Sequence, residues 1–190
     1  MVHIPILRAG RSYRSLNVAR VPHIKTGELI ATVSQANRGL IAKDLCEASE
    51  NRRALEDLSV SELLAICKKA AHLFMEAELP LDEALQSPDD YIRQLSATTG
   101  MPQSLCRKNM TKIQLVLEEM EAVLGGLTRG LGLSVLDAGW DVQDKRPLSY
   151  VHQTNALGAV LPSNSPGVHS LWLPAIPLKT PLVLKPGSQE

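Results

Sequence analysis

The sequence has few aromatic residues and no excess of charge of either sign. Phenylalanine, tryptophan and tyrosine make up 3% of the 190 residues, and 20 basic residues are balanced by 20 acidic ones. A protein that binds nucleic acid usually presents a cationic surface and often aromatic side chains on which bases stack. We therefore predict that nucleic acid is not a partner of this protein.

The chain also lacks long apolar runs and a regular cysteine pattern. Its apolar runs are interrupted by Pro, Lys or Ser well before the ~20 residues that a membrane-spanning helix needs, so we predict no membrane span. Cys46, Cys67 and Cys106 are odd in number and have no C-x-x-C spacing, which favours reduced thiols and a cytoplasmic location. Because the five histidines are scattered along the chain, no metal site is predicted.

What the chain does contain is enough apolar sequence for a core. Hydrophobic residues make up 44% of the chain, and its length fits one large domain or one domain with part of another. Residues 1–27 carry five basic residues and no acid, which partly fits a transit peptide. Because Pro5 and Pro22 would break an amphipathic helix there, extended strands with a basic outer face are the preferred interpretation.

The first third of the chain changes from an extended to a helical pattern. Residues 1–34 are predicted to form an N-terminal hairpin segment, in which Gly27 allows a turn between two apolar runs. Ser34 is predicted to cap the first helix. Ser59 and Glu62 form a capping-box pattern at the start of the next helix. The apolar face of that helix carries Cys67, which we interpret as a core residue and not as a nucleophile.

Residues 35–132 have a predominantly helical pattern. We predict a short helix over "LDEALQ", a helix that starts at Ser87-Pro88-Asp89-Asp90 and stops at Gly100, and a long helix over residues 102–124. The following "GGLTRGLG" lacks the G-K-[ST] ending of a phosphate loop and follows a helix instead of a strand. It is therefore interpreted as a helix end and linker.

Residues 133–190 have the pattern of strands around a helix. "LSVLDAG" is interpreted as a strand, and "ALGAVLP" and "PLVLK" as buried strands joined by the helical segment "VHSLWLPAI". Strand, helix and strand in this order predict a βαβ unit and an α/β fold. Ligands of such sheets gather beyond the carboxyl ends of the strands, where Asn164 and Lys185 lie.

These strand ends resemble a segment of the aldehyde dehydrogenase superfamily. In that family one strand ends in Pro-x-Asn-x-Pro and the next ends in Lys-Pro-[Ser/Ala/Gly], as "LPSNSP" and "LKPG" do in this chain. The earlier "TGELIATVSQANRGLIAKDL" is similar to the family's N-terminal hairpin and first helix. The resemblance implies the N-terminal part of an aldehyde dehydrogenase-like fold. Residues 35–132 would then be the helical part of the cofactor domain, and 133–190 the start of a Rossmann-like sheet that binds NAD or NADP.

A second resemblance concerns the substrate. "DDYIRQLSATTGMPQSLCRKNMTKIQLVLEEMEAVLGGL" is similar to the acyl-CoA reductases of bacterial luminescence systems, which share a "YIR-x-L" helix, a break, a long helix and a "GGL" ending. This implies reduction of an acyl-CoA or another acyl thioester to an aldehyde. Oxidation of an aldehyde to an acid uses the same covalent intermediate, so the direction of the reaction stays open.

The resemblance also assigns roles at the two strand ends. Asn164 matches the residue whose amide stabilises the oxyanion when a thiolate attacks a carbonyl. The implied cofactor contacts are Leu161, Pro162, Ser163, Lys185 and Ser188. Lys185 matches the lysine that reaches the adenosine ribose or its 2′-phosphate. Because Ser188 stands where the family often has a glutamate, NADP(H) is at least as well accommodated as NAD(H).

Other parts of the family's active site have no counterpart in this sequence. The nucleophilic cysteine, the general-base glutamate and the glycine-rich turn follow the lysine strand in the family, and this sequence ends at Glu190. We therefore expect a fragment that is inactive alone and that is part of a homo-oligomer when full length. Two alternatives stay open, namely a non-catalytic binding module and a regulator that binds nucleotide without chemistry.

Overall fold

The computed structural model describes residues 2–163 and 166–189, so the predicted catalytic Asn164 lies outside the described residues. Within residues 2–34 the chain forms five strands, which are β1 Val2–Ile4, β2 Ile6–Arg8, β3 Arg11–Tyr13, β4 Val18–Pro22 and β5 Leu29–Ser34. Strand β5 lies between β1, to which it is parallel, and β4, to which it is antiparallel. The predicted turn between β4 and β5 is confirmed, and Gly27 in it has a φ of +73°.

Seven α-helices follow in the described residues. They are α1 Arg38–Cys46, α2 Ala48–Glu56, α3 Val60–Glu76, α4 Pro88–Thr99, α5 Gln103–Glu118, α6 Met120–Leu127 and α7 Val135–Ala138. None of the helices in the described ranges is long and apolar enough to cross a membrane. The long helix predicted over residues 102–124 is interrupted at Glu119, which separates α5 from α6.

The helix starts were predicted with mixed success. Ser59 with Glu62, and Ser87 with Asp90, form the expected capping boxes at α3 and α4. Ser34 does not cap α1, because it is the last residue of β5 and its hydroxyl accepts from the Ser15 backbone N–H. Asn37 caps α1 instead, and its side-chain oxygen accepts from the backbone N–H of Leu40 at 2.9 Å.

Two predicted elements have the wrong type. "LDEALQ" is not a helix but lies in a hairpin of β6 Leu79–Leu81 and β7 Ala84–Gln86, whose turn contains Asp82 in the left-handed conformation. An ion pair between Arg14 and Asp82 holds this turn against the N-terminal segment. "LSVLDAG" is not a strand but includes α7, because Val135 and Leu136 insert into the helical core.

The glycine-rich stretch after residue 124 ends a helix, as predicted, although two of its glycines belong to that helix. Helix α6 continues through Gly125 and Gly126 to Leu127, and the chain then turns through left-handed residues at Arg129 and Gly130. After α7, strands β8 Trp140–Gln143 and β9 Arg146–Ser149 form an antiparallel hairpin.

The core lies where α3 packs against α5 and α6. Its largest buried cluster consists of Val60, Cys67, Ala71, Ile113, Leu117, Met120, Leu124, Val135, Leu136 and Leu173. Cys67 is 2% exposed, which confirms that this cysteine packs in the core. A second cluster joins α4 to α5 through Ile92, Leu95, Cys106 and Met110.

The predicted βαβ unit is present at the end of the described chain. Strand β10 Leu157–Val160 pairs in parallel with β11 Leu182–Lys185. The connection contains 3-10 helices at Pro166–Leu171 and Leu173–Ala175, and the first of them packs on α5. Contrary to the prediction of a buried strand, β10 is mostly exposed, because in the described residues its only strand partner is β11.

Candidate functional site

The carboxyl ends of β10 and β11 lie side by side. The last ladder pair is Val160 with Lys185, and the backbone N–H of Leu161 donates to the carbonyl oxygen of Lys185 at 2.9 Å. Because the strands are parallel and adjacent, the segments that follow β10 and β11 leave the sheet at the same edge. The β10–β11 register thus brings together residues that are 25 positions apart in the sequence.

A pair of serines joins the segment after β10 to the segment after β11, just beyond this edge of the sheet. The backbone N–H of Ser188 donates to Oγ of Ser163 at 2.7 Å, and the two hydroxyl oxygens are 3.2 Å apart. Ser163 therefore holds the segment that follows β11 through a side chain of the segment that follows β10. The pair leaves the Ser188 hydroxyl on an exposed residue, where a ligand can reach it.

Gly187 allows the segments after β10 and β11 to approach each other this closely. A Cβ atom at this position would lie 2.7 Å from the carbonyl oxygen of Pro162 and 2.7 Å from Cα of Ser163. Real Cβ atoms essentially never make such short contacts with backbone, so any larger residue would push the strand ends apart. Gly187 is itself buried, although the neighbouring Lys185 and Ser188 are exposed.

All five residues that the sequence predicted as cofactor contacts meet at this edge. Leu161, Pro162 and Ser163 follow β10, and Lys185 and Ser188 lie at and just after the end of β11. The site offers an exposed ammonium group, an exposed hydroxyl and a backbone surface without a side chain. These groups suit a ligand that carries hydroxyl or phosphate groups. Asn164, the predicted oxyanion residue, lies outside the described residues.

Two residues that shape the site, Gly187 and Thr98, were not predicted from the sequence. Gly187 could have been found from the "LKPG" pattern, since the motif that this pattern resembles has a small residue at that position. Thr98 gave no signal: it lies on α4, and its Oγ1 donates to the carbonyl oxygen of Gln189, 91 positions away, at 2.6 Å. A contact over this distance depends on the tertiary structure.

The titratable groups elsewhere do not form a second reactive centre in the described part of the chain. Burial raises the pKa of the Cys67 and Cys106 thiols, which lowers the fraction of nucleophilic thiolate. Burial also lowers the pKa of His169, whose Nδ1 lies 3.2 Å from Nε1 of Trp172. Among the described residues, no group of three His, Cys, Asp or Glu side chains is placed to hold a metal ion.

Two shallow cavities lie at other elements. One, of about 290 Å³, is lined by the β2–β3 hairpin and α1, and its Arg8 and Asp44 side chains already pair at 2.5 Å. The other, of about 410 Å³, lies between the loop at Ile24 and the turn from α4 to α5. The Arg8–Asp44 ion pair lies in the lining of the first cavity, and neither cavity is lined by the strand-end residues.

Among known proteins, solved structures share the fold of this chain, but the comparisons of its sequence find no match. Neither the comparison with protein families nor the search of curated proteins finds a match. Among solved structures, an NADP-dependent enzyme of E. coli superposes with a TM-score of 0.70 at 16% identity, over 99% of this chain and 37% of its own. A betaine aldehyde dehydrogenase of Staphylococcus aureus, solved with NAD+, gives a TM-score of 0.67 at 16% identity, over 97% of this chain and 35% of its own.

A third similar structure is an NAD-dependent benzaldehyde dehydrogenase of Corynebacterium glutamicum. It gives a TM-score of 0.66 at 15% identity and covers 96% of this chain. The match covers 37% of the benzaldehyde dehydrogenase chain. The 190-residue chain therefore spans little more than a third of the length of the enzymes whose fold it shares.

Proposed function

We propose that this chain, which has the fold of the N-terminal portion of an aldehyde dehydrogenase, forms that portion of an NAD(P)-dependent oxidoreductase that reduces an acyl-CoA or another acyl thioester to an aldehyde. The observation that carries the proposal is the meeting of Lys185 with the Ser163–Ser188 pair at the carboxyl ends of two parallel strands. This is the edge at which ligands of open α/β sheets bind. We further propose a cytoplasmic enzyme that assembles as a homo-oligomer.

We propose the domain assignment that the resemblance implies. Residues 35–132 would supply the helical part of the cofactor domain, and residues 133–190 the start of its nucleotide-binding sheet. The packing of the 3-10 segment Pro166–Leu171 on α5 supports placing both ranges in one cofactor domain, because it joins the crossover of the sheet to the helical core. Residues 1–34 would form the N-terminal hairpin segment.

The strand-end residues fit the adenosine half of a dinucleotide. Lys185 and Ser188 would hold the ribose or its 2′-phosphate, and residues 161–163 would line the other side. A glutamate at position 188 would repel a 2′-phosphate, whereas the hydroxyl of Ser188 can donate to it. NADP is therefore accommodated at least as well as NAD. Because Gly187 has no side chain, the segments after β10 and β11 can lie close enough to form one continuous surface.

The chemistry proposed for the whole enzyme begins at a thioester. A cysteine thiolate from a part of the enzyme that this chain does not supply attacks the thioester carbonyl, and the amide of Asn164 stabilises the oxyanion. Collapse of the tetrahedral species expels coenzyme A as its thiolate and leaves an acyl group on the cysteine. The nicotinamide cofactor, when bound, supplies the hydride that reduces this acyl group. Expulsion of the cysteine thiolate then releases the aldehyde.

A second candidate is oxidation of an aldehyde to an acid. Two of the similar structures favour it, because they are dehydrogenases of benzaldehyde and of betaine aldehyde. A third candidate, a regulator that binds nucleotide without chemistry, requires the same nucleotide site and no turnover. These candidates share the cofactor contacts and differ in the reaction.

Nucleotide binding by the chain itself is the first test. Isothermal titration with NADP+ and NAD+ should show binding that Lys185→Ala weakens by at least about tenfold, whereas Lys108→Ala, an exposed lysine on α5, should leave it unchanged. Loss of a charged contact to a phosphate accounts for an effect of this size. No binding of either dinucleotide, or equal effects of the two variants, would contradict the proposal.

Turnover by the protein from its native source is the second test. Its intact mass is measured first, and NADPH consumption with an acyl-CoA is compared with NADP+ reduction with an aldehyde. Asn164→Ala in the same protein should lower kcat by roughly 100-fold, the effect of removing one oxyanion donor. Binding without turnover in either direction would favour the nucleotide-binding regulator, and loss of dinucleotide binding would favour the non-catalytic module.

A further inference from the structure

The segment after β11, residues 186–189, is anchored by two hydroxyl groups from distant parts of the chain. We call it the strand-end segment. Ser163 accepts from the backbone N–H of Ser188 at 2.7 Å, and Thr98 donates to the backbone carbonyl of Gln189 at 2.6 Å. Successive residues of the segment are therefore held by two different elements, one by a residue of the site and one by helix α4.

Thr98 is a buried polar residue with a specific partner. It is 7% exposed, and its Oγ1 lies 2.6 Å from the Gln189 carbonyl oxygen but 3.2 Å from that of Leu95 in its own helix. A hydroxyl has one proton to donate, so the shorter contact to Gln189 takes it. Threonine usually bonds back to its own helix, as the neighbouring Thr99 does at 2.6 Å to the Leu95 carbonyl oxygen.

Helix α4 gives this anchor a fixed position. Its N-terminus is closed by the Ser87–Asp90 capping box, and Ile92 and Leu95 are buried in the cluster that joins α4 to α5. Near its C-terminus, the carbonyl oxygen of Ala97 accepts from the backbone N–H of Ile24 at 2.9 Å. A helix that is packed along one face and tied to Ile24 near its C-terminus transmits little motion to the hydroxyl of Thr98.

We infer that Thr98 is a positioning residue of the nucleotide site, which through the Gln189 carbonyl holds the strand-end segment that carries the Ser188 hydroxyl and so favours a ribose that carries a 2′-phosphate. The inference rests on the proposed function, since it assigns the site's ligand. Thr98 does not touch the ligand. It acts by limiting the positions that the strand-end segment can adopt, so that the ordering of this segment is complete before the ligand binds.

The test measures two ligands on the full chain. The probes are 2′,5′-ADP and 5′-AMP, which differ by the 2′-phosphate, and the variants are Thr98→Val, Thr98→Ser and Thr99→Val. Thr98→Val should weaken 2′,5′-ADP binding by roughly 3- to 10-fold, the effect of one neutral hydrogen bond, with a smaller effect on 5′-AMP. Thr98→Ser should restore the wild-type affinity ratio. Thr99→Val, which removes a hydroxyl from the same helical turn, should leave the ratio unchanged.

The ratio of the two dissociation constants separates positioning from folding. A variant that is partly unfolded loses binding sites for both probes alike, so its affinity ratio stays at the wild-type value. Thr98→Ala provides a second variant without the hydroxyl if Thr98→Val does not fold. Hydrogen exchange at the Ser188 amide supplies an independent readout, and it should become faster in Thr98→Val but not in Thr99→Val.

The outcomes distinguish this inference from the proposed function. If the wild-type chain binds neither probe, the proposed function fails and the inference fails with it. If 2′,5′-ADP binds and depends on Lys185, but Thr98→Val leaves the ratio and the Ser188 exchange unchanged, the inference alone is overturned. A changed ratio that Thr98→Ser restores supports the inference.

Discussion

Lys179 donates through Nζ to Oδ1 of Asp137 at 2.6 Å, which joins the turn before β11 to helix α7. The lysine side chain is 5% exposed, and the aspartate side chain is 36% exposed. The same Asp137 carboxylate accepts from the backbone N–H of Val60, the first residue of α3, at 3.0 Å. One carboxylate thus connects three elements and places the strand that carries Lys185 against the helical core.

The two partners of this pair should differ in their effect on stability. Asp137→Asn leaves a buried ammonium group without a counter-charge, and we expect it to lower the free energy of unfolding by about 2 kcal/mol. Lys179→Met removes the cation and leaves a carboxylate that keeps its contact with Val60 and with water, for a loss of about 1 kcal/mol. Urea unfolding of both variants measures the difference. Arg107→Met, which breaks the exposed pair with Asp89, is the control and should change stability by less than about 0.5 kcal/mol.

The capping boxes predict loss of stability in acid. Hydrogen bonds from Ser59 lower the pKa of Glu62 below its ordinary 4.5, and hydrogen bonds from Ser87 lower the pKa of Asp90 below its ordinary 3.8. A lowered pKa in the folded state stabilises the protein above the unfolded-state value, and this stabilisation is lost as the pH falls through the folded value. Unfolding in urea between about pH 7 and pH 3 should therefore show stability decreasing below about pH 4.5.

The Ser59→Ala variant isolates the contribution of Glu62 to this acid dependence. It removes the side-chain hydrogen bond that lowers the pKa of Glu62 most, so it should be less stable than the wild type at neutral pH. The gap between the two stability curves should narrow as the pH falls, because the hydrogen bond to the Glu62 carboxylate weakens once Glu62 is protonated, whereas the bond from the Glu62 backbone N–H to Ser59 is lost at every pH. Parallel curves would contradict this account.

The cysteines should differ sharply in reactivity. Cys46 is exposed, whereas Cys67 and Cys106 are buried and burial raises the pKa of both thiols. Because the thiolate is the reactive form, a brief treatment of the native chain with iodoacetamide should label Cys46 alone. Mass spectrometry counts the labels, and all three thiols should react in denaturant. Rapid native labelling of Cys67 or Cys106 would show that the helical core opens.

A methyl group at Gly187 should separate the two strand ends. Gly187→Ala places Cβ within 2.7 Å of the Pro162 carbonyl oxygen, and we expect a loss of about 1–3 kcal/mol in the free energy of unfolding together with weaker NADP+ binding. Gly158→Ala in β10 is the matched control, since its Cβ would meet no atom of the described residues within 4 Å. That variant should retain both properties. Equal effects of the two substitutions would contradict the close approach of the strand ends.

Cofactor choice should depend on the charge at position 188. Ser188→Glu places a carboxylate where a 2′-phosphate is proposed to bind, and like charges at short range should weaken NADP+ binding by about tenfold or more. NAD+ binding should be unchanged or tighter, because the carboxylate can accept from ribose hydroxyls. Titration with both dinucleotides measures the reversal. Ser188→Gln has the same length without the charge, and it should not reverse the preference.

Elements with strong local signals were predicted well. The capping boxes of α3 and α4 and the left-handed C-cap at Gly100 were each visible in a few consecutive residues. Such signals act between neighbours in the sequence, and the tertiary structure leaves them intact. The paired strands at residues 157–160 and 182–185 were also predicted, since short apolar runs bounded by turn residues favour strands.

Where the local sequence signal is weak, contacts with distant parts of the chain determine whether a segment forms a helix or a strand. "LDEALQ" has the composition of a short helix, but the left-handed turn at Asp82 and the ion pair with Arg14 favour a hairpin. "LSVLDAG" contains β-branched and apolar residues that suit a strand, yet burial of Val135 and Leu136 against α3 and α5 favours a helical turn. Ser34 lost its predicted capping role because a neighbouring segment uses its hydroxyl.

By itself, the sequence determined the starts of α3 and α4 at their capping boxes, the α/β character and the two strand-end motifs, because each depends on residues a few positions apart. Only the tertiary structure decided that Lys179 pairs with Asp137, that Ser163 binds the Ser188 amide and that Thr98 binds the Gln189 carbonyl. These contacts join residues 25 to 91 positions apart. Their formation depends on how α4, α7 and the parallel strands pack, and no local pattern of residues encodes that packing.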